Sequence, residues 1–560
     1  MKNTEIFNDY DMVVSVSERI INSEMLHLTK MGVIHPEFIL AQFIEDRKYV
    51  YKVLESSDQI PVDSTGTPTC SCIDAQITPV ITIDESGSNV TFVLSFRGGT
   101  AWFWEGQGPM AQLVKFDMTG WKYGITVLLD LKQIEKDDIG KKIKVPDIVD
   151  QQLNHFMDSM FSINHLFMDF ESTDLLRFDP AQCDTKDSGD IGLEQLVTFM
   201  QFYLKDLVAS GNPFVLGYSL TTNDATQYPE NQKVPDELKP VGTTYSMYHD
   251  PTNQDLSNVN FVLATKAGHG TIAGTPGNFD TNWLSASEQC DAKLIYSHSC
   301  LIEQFILRPF FQSLQDNVFT GDPKDPSKGG ISGNIDVNKG IDYAAGKEST
   351  ATGFKFTISD QGSGDDQYVN TYTVDIVNDQ AAATSTFSFN GSIRLYKEQS
   401  KNVGVATARA WASVTVPWSG NITFVTQKDK DGNPELTTTK AFTVGNIDQD
   451  SGENDAAKAF HWIGKLLGSV LDALTFFADK GFFGNLLADL FSTNIPGLGD
   501  ISVAIGNLGD SVSTVLMLPA GQVFYFRNPS TDLEGNLAML LTYKSQDLAP
   551  QPHTGELAQA

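Results

Sequence analysis

The segment "IDAQITPVITID", Ile73–Asp84, alternates apolar and polar residues over most of its length. The next segment, "SNVTFVLSFRGG" at Ser88–Gly99, does the same. A period of two is typical of a strand with one face in the core. Because these strands are short and end at Gly, Asp and Ser, they favour antiparallel meanders over parallel crossovers. The sequence therefore predicts an antiparallel sheet, which "WKYGITVLLDLKQIE" at Trp121–Glu135 continues.

A second meander is predicted beyond residue 350. Alternating segments lie at 352–360, 367–379, 385–398, 405–416 and 420–429. "PWSGN", Pro417–Asn421, is interpreted as a turn between the last two, and Asp431–Gly432 as the tip of a tight hairpin. The C-terminal segment 516–545 predicts two or three more strands.

Helical spacing separates the strand regions. One helix is predicted from Asp11 to about Met31, with an apolar face that includes Val13, Val16 and Ile20. A helical insertion is predicted near 35–58, after Pro36. Another helix is predicted at Leu193–Ser210, where Gly211 suits a left-handed C-cap.

The most apolar helical stretch is "IGKLLGSVLDALTFFADKGFFGNLLADLF", Ile463–Phe491. Each central Lys or Asp would cost about 2.5–3.5 kcal/mol in a bilayer, whereas packing on a sheet buries the stripe without that penalty. The simplest interpretation is solid core; the sharper one is an apolar slot between helix and sheet that takes an acyl chain. Candidate tunnel-lining residues are therefore taken from the apolar stripes alone: Val13, Val16, Ile20, Leu466, Leu467, Val470, Leu474 and Phe477.

The order of these elements predicts an α+β chain in two units. The first unit covers 1–320 and contains a long loop at 223–258. A Gly-, Asp- and Ser-rich junction covers 321–346. The second unit, 347–560, holds the second meander, the helices at 456–492 and the C-terminal strands.

The charge balance bears on partners. The chain carries 39 Lys+Arg against 70 Asp+Glu, a formal net charge of -31. Such a surface repels phosphate backbones, so nucleic acid is not expected as a partner. No apolar run is long enough to predict a transmembrane helix, and the first residues do not resemble a secretory signal. We therefore expect a cytoplasmic protein that leaves by lysis or through a dedicated export or injection machine.

A search for catalytic and metal motifs gives no candidate. The P-loop, the zinc-protease motif, the dinucleotide-binding glycines and the nucleophile elbow are all absent from the sequence. The five cysteines form no paired CxxC set; Cys70 and Cys72 form a C-x-C, and free thiols are expected. His298 and Cys300 lie close in sequence, but ordinary polar residues before a helix are the better interpretation. We expect no enzyme activity, no metal and no cofactor.

The order and character of seven segments resemble the tubular lipid-binding (TULIP-like) proteins of bacteria, and most closely the accessory proteins of clostridial neurotoxin and insecticidal toxin gene clusters. The segments are "YDMVVSVSERIINSEM" (10–25), "FSINHLFMDFESTDL" (161–175), "NPFVLGYSLTT" (212–222), "VNFVLAT" (259–265), "GNFDTNWL" (277–284), "CDAKLIYSHSCLIEQFI" (290–306) and "LPAGQVFYFRNPSTDLEGNLAMLLTY" (518–543). The resemblance implies long amphipathic helices wrapped by highly curved antiparallel sheets in two related units. It implies lipid binding without catalysis, alongside a toxin or other TULIP-like proteins.

Three function classes remain open from the sequence. The first is a module that binds lipid or another apolar ligand and is auxiliary to a toxin or delivery system. The second is a membrane-active toxin component that releases the 456–492 helices onto a bilayer; interfacial helices usually carry Lys and Arg on the polar face, and here Lys and Asp are mixed. The third is a structural scaffold with solid cores.

Overall fold

The computed structural model describes most of the 560-residue chain. The described residues are 3–85, 89–106, 110–134, a few positions between 139 and 153, 161–170, 177–178, 180–186, 189–222, 240–266, 268–288, 290–307, 347–349, 353–361, 366–379, 384–428, 434–459, 516–519, 524–531 and 535–543.

These residues are mostly antiparallel β-sheet with a few helices. The helices are α1 (Asn3–Ile6), α2 (Glu18–Lys30), α3 (Gly189–Ser210), a π-helix (Ser299–Leu307) and α4 (Asp455–Ala459). The strands are β1 (Met12–Ser17), β2 (Glu37–Glu45), β3 (Lys48–Val53), β4 (Cys72–Ile83), β5 (Val90–Glu105), β6 (Gln112–Asp117), β7 (Lys122–Val127), β8 (Leu129–Gln133), β9 (Phe161–Met168), β10 (Arg177–Phe178), β11 (Val215–Thr222), β12 (Pro240–Tyr248), β13 (Asn258–Thr265), β14 (Ala292–Tyr296), β15 (Lys347–Ser349), β16 (Gly353–Gln361), β17 (Asp366–Asp379), β18 (Thr384–Val403), β19 (Ala406–Lys428), β20 (Pro434–Val444), β21 (Asp448–Glu453), β22 (Leu516–Met517), β23 (Phe524–Thr531) and β24 (Leu537–Tyr543).

The strands form four sheets. The β1 sheet has the order β12-β13-β1-β14-β24-β23, and the β5 sheet has the order β10-β7-β5-β4-β2-β3 with β6 also paired to β5. A smaller sheet has the order β22-β11-β9-β8, and the meander sheet has the order β15-β16-β17-β18-β19-β20 with β21 paired to β19. One apolar core cluster contains buried residues from all four sheets and from α2 and α3.

The opening segment forms β4, and its odd-numbered face lies in the core, from Ile73 to Ile83. Its partner β5 is longer than the segment predicted, because a bulge at Arg97, just before Gly98–Gly99, carries the strand on instead of ending it. Gly99 has φ +123°, and a Cβ there would overlap with Ala75. Before the bulge the even-numbered residues of β5 face the core, and after it the odd-numbered residues do. On its other edge, β5 pairs with β7 before the bulge and with β6 after it.

The predicted helix at 11–31 is wrong in its first part. Residues 12–17 form β1, which pairs with β13 on one side and β14 on the other and is buried on both faces. A strand covered on both faces loses its alternation, so the apolar spacing of "MVVSVS" did not distinguish strand from helix. The helix begins after Ser17, whose hydroxyl accepts a hydrogen bond from the Ile20 N–H.

Helix α2 lies against the free edge of β4. The pairing of β2 with β4 ends at Gln76, and Pro79 has no N–H to offer a further strand. Beyond Pro79, the side-chain amide of Asn22 accepts from the Ile81 N–H and donates to the Ile81 carbonyl, each at 2.8 Å. One turn earlier on α2, the Glu18 carboxylate accepts from the Ile83 N–H at 2.7 Å and from Gln254 Nε2 at 2.6 Å. Two helix side chains thus replace the hydrogen bonds of a missing neighbour strand.

The predicted helical insertion near 35–58 is also wrong, because residues 37–53 form the β2–β3 hairpin. Its two turn residues, Asp46 and Arg47, have φ of 50° and 64°. This is the geometry that hairpin turns normally obtain from Asn-Gly or Asp-Gly. Because Asp-Arg carries no such signal, the apolar residues of both strands were interpreted as one helical face.

Other predictions are confirmed or corrected locally. Helix α3 ends at Ser210 and is followed by Gly211 at φ +101°, as predicted. The predicted loop at 223–258 contains strand β12, and its first residues, 223–239, lie outside the described part.

"PWSGN" is not a turn: β19 runs through it, and Pro417 lies between the residues paired with β21 and those paired with β20. A proline is tolerated where the neighbouring ladder is interrupted.

The last unit of the sequence prediction is only partly described. Helix α4 lies at the start of the predicted helical region 456–492, and its Ala456 and Ala457 pack on Ala408 and Ala410 of β19. The predicted helices at 463–491 and the junction at 321–346 lie outside the described residues. Long helices wrapped by curved sheets, and the division into two related units, therefore stay predictions. The C-terminal strand β24 pairs with β14, next to β1, so both ends of the chain contribute to one sheet.

Candidate functional site

The inner face of the β2–β3 hairpin is apolar from the core to the solvent. Direct pairs on this face are Leu40 with Val53, Gln42 with Tyr51, and Ile44 with Tyr49. Leu40 is fully buried, whereas Val53, Tyr49 and Ile44 are 40%, 67% and 73% exposed. Large apolar side chains that stay exposed side by side typically mark an interaction site. We call the set Ile44, Tyr49, Tyr51, Val53 and Phe202 the hairpin strip.

Helix α3 supplies the other wall of this site. Phe202 stacks on Tyr51 with ring centroids 4.2 Å apart and an interplanar angle of 22°, and Phe199 meets Tyr51 edge-on at 5.0 Å. Phe199 continues to Phe103 of β5 at 5.7 Å. The buried face of α3, at positions 196, 199, 200, 203, 204 and 207, has the helical spacing that its sequence predicts. An unbroken series of aromatic rings therefore leads from the exposed hairpin to the core.

Few polar groups interrupt the strip. Gln42 Nε2 donates to the Tyr51 hydroxyl at 2.7 Å, and partial burial is the main reason that the pKa of Tyr51 is raised. Lys205 Nζ lies 5.8 Å from the Phe202 ring centroid at the solvent side of α3. The site therefore offers an apolar surface with a hydroxyl inside and a cation at its rim. That combination suits an apolar chain with an anionic or polar end.

The three sequence-predicted site residues that the structure describes, Val13, Val16 and Ile20, do not lie in one place. Val16 and Ile20 lie in the principal core cluster, whereas Val13 lies on the opposite face of the β1 sheet with Ile6 and Tyr10. All three are at most 1% exposed. Leu466, Leu467, Val470, Leu474 and Phe477 lie outside the described residues.

Asp11, Thr265, His269 and Cys300 form a polar cluster beside β1. Asp11 is fully buried; its Oδ1 lies 2.9 Å from His269 Nδ1, and its Oδ2 accepts from the Thr265 N–H at 2.6 Å. The hydrogen bond with Asp11 is the main reason that the pKa of His269 is raised. The nearby Cys300 contacts the Thr265 hydroxyl at 3.4 Å, and burial raises the pKa of its thiol. His269 Nε2 is directed at the Asn8 carbonyl, so the cluster joins β1 to β13 and does not pair a base with a nucleophile.

His298 and Cys300, which lie close in sequence, make separate contacts in the structure. His298 N–H donates to Asn536 Oδ1 at 2.8 Å, and its Nε2 lies 3.7 Å from Glu303 Oε1. Among the described residues, no group of three His, Cys, Asp or Glu side chains is placed to hold a metal ion.

Sequence analysis missed the hairpin strip. The signal was present as alternation around the turn: Leu40, Gln42 and Ile44 on one strand, and Tyr49, Tyr51 and Val53 on the other. It was hidden because β2 is also apolar on its outer face, where Ile39, Ala41 and Phe43 pack with Cys72.

Comparisons with known proteins give distant structural likenesses. No family model matches the chain, and no curated protein matches its sequence. The structure is similar to that of P47 from Clostridium botulinum A2, with 11% identity and a TM-score of 0.41 over 96% of this chain and 97% of that one. It is also similar to a lipopolysaccharide binding protein, with 10% identity and a TM-score of 0.33 over 96% of this chain and 99% of that one. A third likeness, to Takeout 1 of Epiphyas postvittana, has 10% identity and a TM-score of 0.11 over 27% of this chain and 79% of that one. At these values the likenesses assign neither a family nor an activity to this chain.

Within the part of the chain that the structure describes, no helix combines the length and hydropathy needed to span a bilayer.

Proposed function

We propose that the protein binds a lipid acyl chain or a similar apolar molecule and does not act on it chemically. The observation that carries this proposal is the hairpin strip, where exposed apolar side chains continue without interruption into buried aromatic rings. An acyl chain laid on such a surface gains about 0.8 kcal/mol for each methylene it buries. Lys205 at the rim is placed to meet a carboxylate or phosphate end group.

We further propose that this binding is auxiliary to a toxin or delivery system, and that the protein remains in the cytoplasm until lysis or a dedicated machine releases it. The sequence resemblance to TULIP-like toxin accessory proteins is what supports this part. Its partners would then be the lipid and a toxin or another TULIP-like protein.

Binding is tested with the purified full chain and a fluorescent long-chain fatty acid, followed by titration. Wild type is expected to bind with saturation. The double variant Ile44→Ser, Tyr49→Ser removes two exposed apolar side chains, and we expect its affinity to fall about tenfold, which is about 1.4 kcal/mol. The matched control is Val405→Ser, which removes a fully exposed apolar side chain in the turn after β18 and should leave the affinity unchanged.

Solvent extraction and mass spectrometry of the purified protein provide an independent measurement. A co-purifying lipid that decreases in the double variant supports the proposal. If wild type neither carries a lipid nor binds the probe, the proposal is overturned and a scaffold with solid cores becomes the better account.

A further inference from the structure

The C-x-C pair lies where β4 begins. Cys72 is the first residue of β4, and the chain bends at Cys70 before it enters the strand. Both side chains belong to the small apolar cluster on the outer face of the β2–β4 pair, with Ile39, Ala41 and Ile60. The i, i+2 spacing and the shared cluster place the two sulfur atoms near each other in a mostly apolar setting.

The two thiols differ in access and in acidity. Cys70 is half-buried, whereas Cys72 is 1% exposed. The neighbouring Cys72 thiol is the main reason that the pKa of Cys70 is lowered. The same contact, together with burial, raises the pKa of Cys72. One thiol is therefore accessible and activated, and the other is shielded beside it, which is the usual division between an attacking and a resolving cysteine.

The backbone allows the two sulfur atoms to be bridged. Residues i and i+2 of a fully extended chain are separated by about 6.6–7.2 Å, at the upper limit of the Cα–Cα distances of about 4.4–6.8 Å seen in disulfides. Bridging therefore requires the backbone at Ser71 to leave the fully extended conformation. Alternate residues also direct their side chains to the same face, as the shared cluster shows.

We propose that Cys70 and Cys72 form a reversible intramolecular disulfide by exchange with a low-molecular-weight disulfide such as oxidised glutathione. The Cys70 thiolate attacks one glutathione sulfur, the S–S bond of glutathione breaks, and one glutathione thiolate leaves. The Cys72 sulfur then attacks the Cys70 sulfur of the mixed disulfide and expels the second glutathione. Two protein thiols are oxidised, one glutathione disulfide is reduced to two thiols, and the two protons pass to the leaving thiolates.

Ser71, which lies between the two cysteines, is hydrogen-bonded to two neighbouring strands. The Ser71 carbonyl accepts from the Gln42 N–H at 2.8 Å, and the Ser71 hydroxyl accepts from the Trp104 N–H at 3.3 Å. Closing the disulfide rotates the backbone at Ser71 and disturbs both bonds. Trp104 is partly exposed, so its fluorescence reports the change.

The test uses the reduced full chain and oxidised glutathione. The five thiols of the chain are counted before and after oxidation, and the bridged peptide is mapped by mass spectrometry. We expect the count to fall by two, the peptide that contains Cys70 and Cys72 to lose two hydrogens, and a thiol reductant to restore both. Cys70 should react about tenfold faster than Cys183, which is also half-buried.

Cysteine variants distinguish disulfide formation between Cys70 and Cys72 from oxidation of the other thiols. Cys72→Ser should stop at a stable mixed disulfide on Cys70, and Cys70→Ser should resist glutathione. Cys183→Ser is the matched control and should oxidise like wild type; Cys70→Ala and Cys72→Ala repeat the test if a serine variant does not fold. The proposal is overturned if the folded wild type keeps all five thiols, or if oxidation yields only mixed disulfides or a bridge to Cys183.

Discussion

The side-chain amide of Asn22 takes the place of a backbone neighbour for Ile81, because it donates to the Ile81 carbonyl and accepts from the Ile81 N–H, each at 2.8 Å. Asn22 lies on α2 and Ile81 on β4, and the two residues are 59 positions apart. At Ile83 two side chains share this role: Glu18 accepts from the Ile83 N–H, and Gln254 donates to the Ile83 carbonyl. The free edge of β4 is thus closed by a helix, and no further strand is needed there.

Replacing Asn22 by Leu should destabilise the protein. The change leaves an N–H and a carbonyl of β4 without their partner, at a cost of about 2–3 kcal/mol in the free energy of unfolding. Urea denaturation measures the difference. The control is Asn402→Leu, at an exposed position near the end of β18, for which a change within about 0.5 kcal/mol is expected. Equal effects of the two substitutions would contradict the role given to Asn22.

Glu18 should make stability depend on pH. Burial is the main reason that the pKa of Glu18 is raised, from 4.5 to about 8. Between these values the folded state keeps a proton that the unfolded state has released, so the free energy of unfolding falls as pH rises through that window, by up to about 1.4 kcal/mol for each pH unit. Glu18→Gln, which cannot ionise, should flatten this slope in urea titrations at several pH values.

Two comparisons make the Glu18 experiment specific. Glu194→Gln removes an exposed carboxylate of α3 and should leave the slope as in wild type. His269 contributes a slope of the same sign, because its pKa is raised in the folded state and its stabilisation is lost as pH rises through that pKa. A residual slope in Glu18→Gln should therefore disappear when His269→Gln is added. If the slope in Glu18→Gln alone is the same as in wild type, the raised pKa of Glu18 is not its cause.

Gly99, next to the bulge in β5, should be intolerant of a side chain. In Gly99→Ala the new Cβ overlaps with Ala75 backbone and the positive φ disfavours any L residue, so we expect a loss of about 3 kcal/mol or more, or failure to fold. Gly404→Ala is the matched control: its φ is +70°, and nothing lies within 4 Å of its added Cβ. It should cost about 1 kcal/mol. Thermal unfolding compares the stability of the two variants. Similar losses of stability would show that the positive φ alone, and not the close contact with Ala75, excludes a side chain at residue 99.

Substitutions at Phe202 and Tyr49 of the hairpin strip should separate the effect on protein stability from the effect on ligand binding. Phe202→Ala removes the ring that covers Tyr51 and should cost about 1–2 kcal/mol, less than for a fully buried ring because Phe202 is partly exposed. Tyr49→Ala should change stability by less than about 0.5 kcal/mol, since that ring is mostly exposed. Both variants should nevertheless weaken fatty-acid binding. If Tyr49→Ala binds like wild type, the strip does not extend to the hairpin tip.

Local pattern was sufficient where a strand has one face in the core. The alternation at Ile73–Asp84 identified β4, and helical spacing identified α3. Pattern failed where both faces of a strand are covered, as in β1, and where a turn uses residues without the usual signal, as at Asp46–Arg47. It also failed at Gly98–Gly99 and Pro417, where a residue that normally ends a strand instead marks a change of partner.

The sequence by itself determined that this chain is acidic, rich in antiparallel strands and supplied with amphipathic helices, because each of these properties is a sum or a period over neighbouring residues. Only the tertiary structure decided which strands share a sheet, that α2 closes the edge of β4, and that Tyr51 and Phe202 form one apolar surface. Those relationships join residues up to about 300 positions apart, and no local period encodes a contact at such a separation.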